Sequence, residues 1–158
     1  MSHLRFRFLR VAAAVLTLAS LAACSSKKDD PQAPTGMSWT ADGTASTDSS
    51  PQIVASSTNI DIIGSTGTAP NNATIHVGAP AQVGTYPITS TGAATADYIQ
   101  RGGTATISYL ASTGTVSIST LTANRVTGSF SFTAYNYSGG VSSPLVKTVT
   151  NGRFDVAR

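Results

Sequence analysis

Residues 125–135 read Arg125-Val-Thr-Gly-Ser-Phe130-Ser-Phe-Thr-Ala-Tyr135. In an extended chain Val126, Gly128, Phe130, Phe132 and Ala134 fall on one side, and Thr127, Ser129, Ser131 and Thr133 on the other. Strict alternation over ten residues is the pattern of a strand with one dry and one wet face. An antiparallel sheet permits that arrangement, because only one of its faces needs to be covered.

The same period extends on both sides. Residues 104–110 place Ala105, Ile107 and Tyr109 opposite Thr104, Thr106 and Ser108; residues 115–121 place Val116 and Ile118 opposite Ser117 and Ser119. Ser112-Thr-Gly-Thr115 between them is read as a tight connection. Further strands are expected at 37–40, 44–46, 52–55, 59–63, 72–77, 85–89, 97–100, 145–150 and 153–156. Asp42-Gly43 and Asn151-Gly152 are strong turn dipeptides, and Arg101-Gly-Gly103 and Ser138-Gly-Gly140 also read as turns. The expectation is an all-β domain: an antiparallel meander of about nine or ten short strands, forming a β-sandwich or a small β-barrel. Alternation suits both, since each buries every second residue.

Composition agrees with this reading. The chain has 158 residues and suits one domain. Charged residues make up 11%, Glu is absent, and Ser and Thr together number 44. That excludes a Lys/Glu-rich helical bundle and a charge-driven disordered chain. Thr is β-branched, which favours strands, while its hydroxyl tolerates water.

The first segment carries the basic excess. Arg5, Arg7 and Arg10 precede an apolar run over 11–21, followed by Ala22, Ala23 and Cys24. This is the order of an export signal. Eleven residues are too few for a membrane-spanning helix, which needs about 20. Residues 1–23 are therefore read as an export signal peptide, 24–35 as a polar tether and 36–158 as the all-β domain. Without the first 23 residues, seven Lys or Arg face seven Asp, so the +3 charge belongs to the precursor. No basic run remains beyond Lys27-Lys28, which argues against a nucleic-acid partner.

Leu21-Ala-Ala-Cys24 resembles the lipobox of bacterial lipoproteins. The resemblance implies that the Cys24 thiol is acylated by diacylglycerol and becomes the mature first residue, with further acyl chains such as palmitate holding it in a bilayer. Ser25-Ser-Lys-Lys-Asp-Asp30 resembles the surface-export signal of Bacteroidota lipoproteins, which implies a lipid-anchored protein of the outer membrane, displayed at the cell surface. Gly84-Thr-Tyr-Pro-Ile88, the 125–134 strand and Thr150-Asn-Gly-Arg-Phe-Asp-Val156 resemble a family of small Bacteroidota lipoproteins whose domains have no assigned function. The resemblance spans residues 39–156, implies an all-β fold, and transfers no catalytic residue.

A search for chemistry finds little. His76 is the one histidine after the signal, and its place between Ile75 and Val77 turns it outward. No nucleophile elbow, phosphate-binding loop or Cys/His ligand set is present, so no cofactor and no metal is expected. Asp42, Asp48, Asp61, Asp97 and Asp155 are dispersed; calcium would require them to converge. The remaining candidates are aromatic: Trp39, Tyr135 and Tyr137, which could form a binding surface for a glycan or a protein ligand. The leading expectation is a non-enzymatic, membrane-anchored binding module. Alternatives are a structural envelope component and an envelope hydrolase built on His76 or paired Asp residues.

Overall fold

The structure is a computed structural model and describes residues 35–68, 71–136 and 145–158. Its strands are β1 (Gly36–Ala41), β2 (Thr44–Asp48), β3 (Gln52–Ala55), β4 (Asn59–Thr68), β5 (Asn71–Pro80), β6 (Gly84–Ile88), β7 (Thr95–Gly102), β8 (Ala105–Leu121), β9 (Arg125–Asn136) and β10 (Leu145–Ala157). They form one antiparallel ten-stranded sheet in the order β2-β1-β10-β9-β8-β7-β5-β4-β3. β7 to β10 are consecutive neighbours, the expected meander. β6 pairs with the second half of β8, whose first half pairs with β7.

The sheet is curled. Its two edge strands, β2 and β3, are separated in sequence by only residues 49–51. A flat ten-stranded sheet would hold its edges roughly 40 Å apart at a strand spacing of about 4.8 Å, and three residues span about 10 Å. The edges must therefore approach each other. The Ser65 N–H of β4 reaches across to Asp48 Oδ2 of β2 at 2.8 Å, and Asp48 Oδ1 takes the Ser50 N–H at 2.8 Å. One aspartate thus ties the seam and shapes the connection.

The inward face carries the core. Phe130, Phe132, Phe154, Val126, Val156, Ile60, Ile62, Ile75, Val77, Met37 and Trp39 are all buried. Phe130 has ring centroids 6.3 Å from Phe132 and 6.4 Å from Phe154, within the range of favourable aromatic packing. The core-facing assignment of Val126, Phe130, Phe132, Phe154 and Val156 holds. Glycines make room for these rings. A Cβ on Gly128 would lie 2.3 Å from Phe154 Cζ and 2.1 Å from the Ser117 carbonyl oxygen; one on Gly152 would lie 2.5 Å from the Phe130 ring.

Two expected breaks are not breaks. Residues 104–110 and 115–121 belong to one strand, β8, and 145–150 and 153–156 to another, β10. The Ser112-Thr-Gly segment is a bulge: the register against β9 shifts between Ala111 and Thr113. Asn151-Gly152 is likewise a bulge, with a shift between Val149 and Gly152 and Asn151 at φ 54°. Asp42-Gly43 is the turn that its sequence announces. Both residues have positive φ, and Ala41 pairs with Thr44. The Gly102–Ala105 turn is also as expected, with Gly103 at φ 59°. Ser138-Gly-Gly140 lies outside the described residues.

Candidate functional site

Of the three aromatics proposed as a binding surface, the structure describes Trp39 and Tyr135 and places them on opposite faces of the sheet. Trp39 is 2% exposed and packs in the core, where Gly64 lets its ring approach the β4 backbone. Its indole N–H is buried with no hydrogen-bond partner in the structure. It offers no face to a ligand, which corrects the expectation for that residue: on β1 it shares the inward phase of Met37 and Ala41. Tyr137 lies outside the described residues, as does Cys24. Tyr135 is half-buried on the outer face of β9.

Sheet register shows what surrounds Tyr135. It pairs with Val146 of β10 on one side and Leu110 of β8 on the other. Leu110 pairs with Asp97, Asp97 with His76, and His76 with Ile63. One cross-strand row on the outer face therefore runs Val146–Tyr135–Leu110–Asp97–His76–Ile63. Leu110 is 65% exposed and Val146 50%, large apolar side chains where the outer faces of β8 and β9 are otherwise mainly Ser and Thr. A shallow cavity of about 430 Å³ lies along the row, lined among others by Asp97, Ile99, Ser108, Leu110, Tyr135 and Asn136. Asn136 is buried, and its Nδ2 donates to the Ser108 carbonyl at 2.7 Å, joining two of the lining residues across β9 and β8.

Asp97 and His76 face each other at 3.4 Å (Oδ1 to Nδ1), both partly exposed. Burial raises the Asp97 carboxyl above its ordinary range, and the charge of His76 opposes that rise. His76 is outward, as its alternation with Ile75 and Val77 predicts. Among the described residues its polar contact is this carboxylate and not a serine or threonine hydroxyl.

Asp155 and Asp42 have structural partners. Asp155 receives both Nε and Nη2 of Arg125 at 2.7 Å. Asp42 takes Lys147 Nζ at 2.7 Å and the Thr148 N–H at 2.9 Å. Lys147 points inward, its ammonium 5.4 and 5.3 Å from the ring centres of Tyr98 and Tyr109. Burial presses that ammonium down, but the hydrogen bond and charge of Asp42 outweigh it and hold it above the ordinary lysine value. Among the described residues, no three His, Cys or Asp side chains gather as a metal site would require. No described helix is long and apolar enough to cross a membrane.

A larger cavity, about 560 Å³, opens beside Thr35 and is lined mainly by hydroxyls, Arg153 and the Arg125-bound Asp155. Its aromatic, Phe154, is a core residue. Of these two cavities, the one at Tyr135 combines a half-buried aromatic with an exposed aliphatic side chain, Leu110, the combination a recognition surface uses. Leu110 and Val146 were missed as site residues. Their signal is an apolar residue in the wet phase: Leu110 follows Thr104, Thr106 and Ser108 on the outer side.

A family described as Domain of unknown function (DUF6252) matches residues 39–155. No curated protein and no solved structure matches the chain significantly.

Proposed function

Because the chain belongs to the DUF6252 family, whose description assigns no activity, we propose its function from its own site: a non-enzymatic binding module whose outer-face row at Tyr135 grips a glycan, peptide or protein. The observation that carries this is the exposure of Leu110 and Val146 on either side of Tyr135, with a cavity lined by Leu110 and Tyr135 beside them. Exposed apolar area of this kind is costly in water and is relieved by a ligand.

The module is presented on a membrane. Cys24 at the end of the 1–23 signal carries the acyl chains, residues 24–35 hold the domain away from the bilayer, and Lys-Asp-Asp after the cysteine directs the protein to the outer surface of an outer membrane of the Bacteroidota type. Two measurements test the reading. Metabolic labelling with an alkyne palmitate should mark the wild-type chain and not Cys24→Ser. Calorimetry of the full chain against oligosaccharides and extended peptides should give saturable heat that Leu110→Ser abolishes. Heat unchanged by Leu110→Ser would remove the row as the site.

A further inference from the structure

The row at Tyr135 has a sign as well as a shape. Asp97 sits in it between Leu110 and His76, and has no Lys or Arg partner among the described residues. One register pair along, Asp61 of β4 also faces outward, exposed, with Gly78 opposite it on β5. Val54 of β3, 59% exposed, pairs with Asp61 on the same face. Two of the basic groups are engaged elsewhere. Lys147 turns inward to Asp42, and Arg125 is held by Asp155. Arg101, on the same face of β7, has its Nη1 3.3 Å from Thr74 Oγ1. A strip of aliphatic and aromatic side chains is thus interrupted by two carboxylates, Asp97 and Asp61, and the ion-pair partner of Asp97 is an imidazole.

Resting on the binding-module reading, we propose that the ligand of this strip is a protein segment carrying a Lys or Arg flanked by aliphatic residues, its cation seated on Asp97 and its aliphatic side chains on Leu110, Tyr135 and Val146. Charge complementarity selects this occupant. A half-buried carboxylate gains from a fixed cation what it has lost in hydration, whereas a second carboxylate brought there is repelled. A neutral sugar could use the Tyr135 ring but leaves Asp97 without its counter-charge. The raised Asp97 carboxyl is what such a desolvated, incompletely paired group shows.

The test uses the full chain in detergent and fluorescent decapeptides at neutral pH and 50 mM salt. One peptide alternates Lys with Leu and Val; a second replaces each Lys by Glu; a third replaces it by Gln. A neutral oligosaccharide is the fourth probe. The Lys peptide should bind at least tenfold tighter than the Gln peptide, and the Glu peptide weakest. Asp97→Asn should bring the Lys peptide down to the Gln peptide and leave the Gln peptide unchanged; circular dichroism of the variant controls for folding. Arg153→Ala, on the other cavity, should change none of these affinities. If the Glu peptide or the oligosaccharide binds best, or if Asp97→Asn leaves the preference intact, the proposal is wrong while the strip remains a binding site. If Leu110→Ser alters the binding of no probe, the binding reading itself fails.

Discussion

At the scale of single residues the fold depends on places where a side chain is missing. Gly128 lies under the Phe154 ring and against the Ser117 carbonyl of the neighbouring strand, so any Cβ there collides with both. Gly128→Ala should cost about 3 kcal/mol through overpacking, read as a lower urea midpoint with an unchanged m-value. The Arg125–Asp155 pair makes a different prediction. The Arg125 hydrogen bond, outweighing burial, holds the Asp155 carboxyl below the ordinary carboxylate range. A carboxyl depressed in the folded state stabilises above its unfolded pKa of about 3.9, and that stability disappears as pH falls through the folded value. Arg125→Ala should therefore be less stable than wild type at pH 7, the difference shrinking below about pH 4 and vanishing when Asp155 is protonated in both. Thermal melts of the two chains from pH 7 to pH 2 check the convergence.

At the scale of elements, phase explains which boundaries the sequence makes legible. In β9 the buried residues from Val126 to Asn136 are all even-numbered, and the strand is read correctly from alternation alone. In β8 the inward set passes from Tyr109 to Val116 and Ile118, from odd to even. In β10 it passes from Lys147 and Val149 to Phe154 and Val156. A bulge adds one residue and shifts the phase by one, while the strand continues. Ser112-Thr-Gly and Asn151-Gly are equally good as turns, so composition favours a break; only the slip of parity separates the two. The site is legible to a smaller degree. Tyr135 stands out as an aromatic in a wet phase, but its partners on β8 and β10 are set by register, which no single strand encodes. Trp39 misleads because the strand expected there, 37–40, is four residues long, too short to reveal which phase faces inward; β1 itself spans Gly36–Ala41. The bulge in β10 predicts a substitution pattern. Asn151→Gly should leave stability nearly unchanged, whereas Asn151→Ile, a branched residue forced to φ 54°, should cost roughly 1–2 kcal/mol in urea unfolding.

At the scale of the molecule, closure is a property of the chain path. The sheet has two edges, and residues 49–51 join them where a ladder would otherwise be needed. Lengthening that connection by ten Gly and Ser residues should lower stability by roughly 1 kcal/mol of loop-closure entropy. Amide exchange should then accelerate first in β3, whose four residues pair on one side only, with β4. Exchange in β9, paired along its length on both sides, should stay slow.

The placement of β1 has a mechanical consequence. The first described strand is not an edge: it lies between β2 and β10, paired with β10 from Gly36 to Ala41 and with β2 from Met37 to Ala41. A pull applied at Gly36 along the strand loads both ladders in shear, so their hydrogen bonds resist together instead of opening one at a time as at a peeled edge. A domain held at this end and pulled at Tyr135 passes the load from β1 through the β1–β10 ladder and then the β10–β9 ladder.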